Sequence, residues 1–186
     1  MAMLLAAHDA QASHRIRSLV LSCPVNPWSD FGQDRIRFLS TWLGGCFLRL
    51  VLPISRPLHR SAIARMYGDP TRMPQDALDG YRVSVLRRGR AANVLTALRN
   101  WNKDVETLRG LIPQIKIPAL LIWGTRDTAV DPRSAEILHQ HLPKSELKWI
   151  EGAGHFVFEE RPEEFNRLIV EFLNKTEAMA GQAGKQ

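Results

Sequence analysis

The chain has 186 residues, 45% apolar and 24% charged, an ordinary globular composition long enough for one domain with a core. Two cysteines, Cys23 and Cys46, exclude a disulfide framework; neither sits in a Cys-x-x-Cys pair, which argues against structural zinc, and a reducing, cytoplasmic location is expected. The net charge of +6 is uneven, with 17 basic and 8 acidic residues up to Lys116 and 8 basic and 11 acidic after it.

The basic excess is mostly arginine, clustered at Arg87, Arg88 and Arg90. A solvated helical surface accounts for it; a preference for anionic substrates or an acidic partner is the sharper alternative. No reader motif accompanies the arginines, so no nucleic-acid partner is expected.

Ala2 to Ala12 is rich in alanine and leucine and predicts a helix. The opening imitates a signal peptide but lacks a basic n-region and is broken by His8 and Asp9. No capping residue precedes the helix, a hint that something upstream is absent. Arg17 to Cys23 predicts a buried strand, ended by Pro24 and Pro27. A helix followed by a short apolar strand is half of a strand–helix–strand unit, so a parallel sheet is expected.

From Trp28 to about Gly110 no strand is expected. Arg35 to Leu52 has helical spacing, with a bend at Gly44 and Gly45; Phe38 to Leu52 is too short and too interrupted to span a bilayer. Pro53 and Pro57 break the chain. Leu58 to Met66, Asp76 to Leu86 and Ala91 to Trp101 predict further helices, with Pro74 opening the second of these. Asp104 can cap a last one over Val105 to Leu111. An all-helical insertion of this size suggests a lid over a site rather than a simple crossover.

Ile117-Pro-Ala-Leu-Leu-Ile-Trp-Gly-Thr-Arg-Asp127 then predicts a buried strand from Ala119 to Trp123, with a carboxylate just past its end. Asp131 can cap a helix from Pro132 to Leu142. Glu146 to Ile150 predicts a third strand, followed by a glycine-hinged loop, Gly152-Ala-Gly-His155. Pro162 to Leu173 closes the fold, with Phe165, Leu168, Ile169 and Phe172 on one face. Beyond Asn174 the chain is small and polar and is expected to fray. Asp127 and His155 are therefore expected on neighbouring loops at one sheet edge, the carboxylate orienting the imidazole. That is the acid–base half of a nucleophilic triad.

These stretches resemble the α/β-hydrolase family, of the kind with a helical cap inserted after the sixth strand. Ile117 to Asp127 is similar to the family's stretch carrying the triad acid, Gly152 to His155 to its loop carrying the base, and Glu160 to Phe165 to the opening of its last helix. The order and the spacing of 28 residues from Asp127 to His155 fit together. The resemblance covers only the C-terminal part of that fold, a parallel half-sheet with flanking helices. It implies core segments 1–27 and 111–174, a helical cap over 28–110 and a tail over 175–186. The family's Gly-x-Ser-x-Gly elbow occurs nowhere in the 186 residues. The expectation is a fragment that starts just after its own nucleophile and lacks the oxyanion donors.

Asp127 could instead be a turn residue, and His155 a loop histidine without a role. Asp131 competes as the acid, but its place before Pro132 favours capping. His139 and His141 do not share a helix face, so metal binding there is not expected. Cys23 lacks an elbow and is read as a small packing residue, and Ser22 is rejected as a nucleophile for the same reason. Trp28, Val130 and Phe156 are candidate pocket residues that could equally be core. The resemblance implies hydrolysis of an ester or related bond in a small, apolar, acyl-type substrate, without cofactor or metal. The nucleophile would be a serine, or an aspartate as in the dehalogenase and epoxide-hydrolase branches. An inert or non-catalytic relative is the alternative. The unpaired edge of the first strand invites association with another chain.

Overall fold

Ala119 to Gly124 is apolar at every position up to its glycine, and only a strand covered on both faces can bury such a run. The computed structural model, which describes residues 2–12, 15–29, 38–50, 56–77, 79–81 and 90–183, makes it the middle of the sheet. Strands β1 (Leu19–Ser22), β2 (Ala119–Gly124) and β3 (Ser145–Ile150) lie in the order β1-β2-β3, all parallel. Leu19 pairs with Ala119, and Ala119 in turn with Ser145. The three strands fall where the apolar runs predict them, within two residues at either end.

Helix α1 (Ala2–Ala12) precedes β1, and its Asp9 reaches forward to accept the Arg15 and Ile16 N–H groups at 3.1 and 2.7 Å. These contacts tie the helix to the residues that lead into the strand. Helices α5 (Arg133–His141) and α7 (Pro162–Ala183) pack on β2 and β3, and α1 packs on β1. Leu120, Leu121 and Ile122 are almost wholly buried between them. Each such side chain contributes roughly 1.5–3 kcal/mol of burial.

Among the described residues between β1 and β2 there is no strand, as expected. The described part of this segment holds helices α2 (Trp42–Leu50), α3 (Arg56–Ala64) and α4 (Arg90–Leu111), with a 3₁₀ turn at Pro70–Arg72. Four details differ from the sequence reading. The bend before α2 falls at Thr41 rather than at the glycine pair: its Oγ1 donates to the Phe38 carbonyl (2.6 Å) and accepts the Gly44 N–H (3.1 Å), replacing a helical turn. Pro57 does not break the chain but is the second residue of α3, where a missing N–H costs nothing.

Asp104 lies inside α4 instead of capping a separate helix, because no glycine or proline interrupts residues 90–109. Finally, α7 continues past Leu173 to Ala183. Its alanine-rich end has high helix propensity, and Lys175 pairs with Glu146 on β3. The expected helix over 76–86 and the Arg87 and Arg88 cluster lie largely outside the described residues. Among the described residues, no helix is long and apolar enough to cross a membrane.

Candidate active site

The site forms where the three parallel strands end. After β2 the chain turns at once, the Asp127 N–H donating to the Gly124 carbonyl at 3.2 Å. Asp127 then folds its own carboxylate back: Oδ1 accepts the N–H groups of Ala129 (2.7 Å) and Val130 (2.9 Å). Such an Asx turn is a local preference of aspartate, and here it orients the second oxygen. Oδ2 lies 3.0 Å from His155 Nδ1. The Asp127 side chain has no solvent exposure and that of His155 has 23%. The carboxylate is thus behind the ring and the ring is at the rim.

His155 is held by contacts distant in sequence. Its N–H donates to the Met66 carbonyl at 2.7 Å, and the Arg126 N–H donates to Ala153 O at 2.9 Å. The loop carrying it is wedged between the end of β2 and the segment after α3. A Cβ on Gly124 would lie 2.2 Å from the Gly154 carbonyl oxygen, and one on Gly154 would lie 2.3 Å from the Met66 carbonyl oxygen. Neither position tolerates a side chain without backbone movement. Gly152 has φ +71, a left-handed conformation that glycine adopts freely.

Glu160 was not expected as a site residue. It ends the short helix α6 (Val157–Glu160) and is 2% exposed. Its carboxylate accepts three backbone N–H groups: Gly154 at 2.7 Å, Gly68 at 3.1 Å and Asp69 at 3.0 Å. One buried carboxyl group therefore ties the histidine loop to residues 68–69. No local sequence pattern separates Glu160 from its exposed neighbour Glu163.

The candidate pocket residues divide. Phe156 follows His155, its ring 5.6 Å from the imidazole and 5.0 Å from the rings of both Tyr67 and Tyr81. Both tyrosine hydroxyls donate to Glu159. Burial, and then the Glu159 carboxylate, push both phenols well above the usual tyrosine range. Val130 supplies its N–H to Asp127, while its side chain is in the core. Trp28 packs against His141, with ring centroids 4.2 Å apart and the planes tilted by 31°. Ser134, at the start of α5, bonds Asn26. His141 is two turns further on, so Trp28 packs roughly 10 Å down that helix from the strand ends.

Cys23, read from the sequence as a packing residue, ends β1 beside this pair. It is 2% exposed and has φ +43, unusual for a residue other than glycine. Burial first, and the Asp127 charge second, push its thiol well above the usual range, which opposes a nucleophilic role. Donor atoms of Cys23, Asp127 and His155 all lie within 4.8 Å of one another. They could hold a metal ion.

The profile of the alpha/beta hydrolase fold matches residues 1–162. Mouse monoacylglycerol lipase ABHD6 is 40% identical over 71 residues, 38% of this chain and 21% of the lipase. Epoxide hydrolase 1 of Caenorhabditis elegans is 43% identical over 61 residues, 33% of this chain and 15% of that protein. A putative lipase from Acinetobacter baumannii superposes with a TM-score of 0.72 at 17% identity, covering 93% of this chain and 57% of that structure. The chain thus matches well under two thirds of the length of these relatives.

Proposed function

The chain belongs to the α/β-hydrolase fold family, and from that premise we propose that it carries the acid–base half of a hydrolase triad. The observation that supports this best is the 3.0 Å contact between Asp127 Oδ2 and His155 Nδ1 at the C-terminal ends of adjacent parallel strands. Open α/β sheets place their sites at that edge. With Nδ1 engaged by Asp127, the imidazole keeps its tautomer and Nε2 is left to take a proton from a nucleophile or a water. Asp127 then stabilises the cation that forms. Residues 28–110 act as the cap, and the Phe156, Tyr67 and Tyr81 rings line the apolar side of a site for a small acyl-type substrate.

The nucleophile, serine or aspartate, is supplied by residues outside these 186, seated against the free edge of β1. Among the described residues, Leu19 to Ser22 pairs only with β2, so its other edge offers backbone groups to a further strand. The absence of a Gly-x-Ser-x-Gly elbow from the sequence also favours a second reading, an inert relative of the hydrolases. The chain alone is therefore expected to give no turnover of short p-nitrophenyl esters, since triad members act as a unit. Adding a polypeptide with the N-terminal half of a related fold should restore turnover that Asp127→Asn or His155→Ala abolishes. Restored turnover that survives both substitutions would refute the assignment. Failure of complementation with a well-folded complex would favour the inert reading.

A further inference from the structure

Three donor side chains of different chemistry come from the ends of three successive strands: Cys23 after β1, Asp127 after β2, His155 after β3. Their donor atoms lie mutually within 4.8 Å, and the carboxylate and imidazole are already at 3.0 Å. A tetrahedral zinc ion with bonds of about 2.0–2.3 Å holds its donors roughly 3.3–3.6 Å apart. The oxygen–nitrogen pair needs to open by a few tenths of an ångström. The sulfur, within 4.8 Å of both partners, needs to close by about 1.2–1.5 Å at most, a movement assigned to the Cys23 side chain.

Other features of a metal site are present. Asp127 Oδ1 is fixed by two backbone N–H groups, so Oδ2 is presented rather than merely near. Outer hydrogen bonds of this kind orient ligating carboxylates. Cys23 Sγ makes a weak 3.8 Å contact to the Ile122 carbonyl, and its thiol also interacts with the Asp127 carboxylate beside which a metal would hold it. A thiolate with an imidazole selects zinc, cadmium or cobalt over magnesium and calcium.

We propose that Cys23, Asp127 and His155 form a three-ligand site for a thiophilic divalent cation of the zinc class, its fourth position open at the rim. Binding breaks the S–H bond of Cys23, whose proton leaves to solvent, and shifts the single imidazole proton of His155 from Nδ1 to Nε2 by way of solvent, so that one proton is released in all. Metal–sulfur, metal–nitrogen and metal–oxygen bonds form, with no change of oxidation state. His155 Nε2 then carries the remaining proton and cannot act as a base, so metal and acid–base chemistry exclude one another. The site rests on the positions of three side chains and not on the hydrolase reading, so either can fail without the other.

The test loads the full chain with cobalt(II) and then zinc(II). One cobalt per chain should bind, with a thiolate-to-cobalt charge-transfer band and the intense visible bands of a tetrahedral ion. Zinc should displace it. Cys23→Ser should abolish the charge-transfer band and weaken zinc binding at least tenfold, His155→Ala should weaken it comparably, and Cys46→Ser should change neither. X-ray absorption of the zinc-loaded wild type needs no variant and should show one sulfur at about 2.3 Å. A shell of nitrogen and oxygen alone, a band that persists in Cys23→Ser, or a band lost in Cys46→Ser overturns the proposal.

Discussion

Removing the Glu160 carboxylate should loosen the histidine loop more than any other single change remote from the Asp127–His155 contact. In Glu160→Ala the Gly154 N–H, whose bond is buried, loses its acceptor outright, while the Gly68 and Asp69 N–H groups are partly reachable by water. A buried donor left unpaired costs about 1–3 kcal/mol, and each partly buried one roughly 0.5–1. With about 1 kcal/mol for the small cavity left behind, the sum is about 3–6 kcal/mol, a large share of a domain's typical 5–15. Glu160→Gln can keep the oxygen that serves Gly68 and Gly154, but turns an amide N–H₂ towards the Asp69 N–H. Its cost should be about 1–2 kcal/mol. Urea unfolding followed by tryptophan fluorescence measures both, provided the m-value is unchanged. Amide exchange at Gly154 and His155 should accelerate in the same order, Ala above Gln above wild type. The exposed Glu163→Ala is the control and should stay within about 0.5 kcal/mol. A Glu160→Ala protein as stable as that control would show that the three contacts contribute nothing net, and would refute the reasoning.

Gly124→Ala should destabilise by at least about 2 kcal/mol and widen the Asp127–His155 pair, since its Cβ meets backbone at 2.2 Å; denaturation and the His155 ring NMR signals check both. Tyr67 and Tyr81 are the only tyrosines in the chain. Their folded pKa values are raised, so their contribution is full below the unfolded value near 10 and is lost as pH rises towards the folded values. Phenolate absorbance should therefore appear late, together with loss of ellipticity. Two phenols titrating near pH 10 in folded protein would contradict this. Asp131→Ala should cost about 0.5–2 kcal/mol through loss of the bond to the Arg133 N–H at the start of α5. The folded pKa of Asp131 is lowered by the Arg133 contacts, so the difference from wild type should be present above about pH 4 and vanish on acidification.

The parts legible in the sequence are those fixed by neighbours in the chain. Ala119 to Trp123 was legible as a buried strand, because a short run apolar at every position suits a strand covered on both faces. Asp127 was legible because a carboxylate three residues beyond a strand-ending glycine is suited to a turn. The misread parts each depended on a balance that spacing does not encode. Asp104 has the residue type of a cap, but a cap needs a helix end, and α4 has no breaker there. The end of α7 looked like a tail because its residues are small and polar, yet alanines and the Lys175–Glu146 pair extend it. The bend before α2 went to Thr41, whose hydroxyl competes for the backbone, rather than to the more conspicuous glycines.

The two halves of the site differ in the same way. Asp127 is oriented almost wholly by its own turn, through Ala129, Val130 and Gly124, all within three residues. His155 is oriented from across the chain, by Met66 through its N–H and by Glu160 through Gly154, Gly68 and Asp69. A carboxylate set by local preferences survives loosening of the tertiary structure; an imidazole set by distant segments does not. The weaker partner of the pair is therefore the histidine, and what governs its position is the packing of residues 66–69 against the end of the sheet. Movement of that segment would carry the Met66 carbonyl and the glycine loop with it. The segment between β1 and β2 thus supplies part of the scaffold that aims His155 at Asp127.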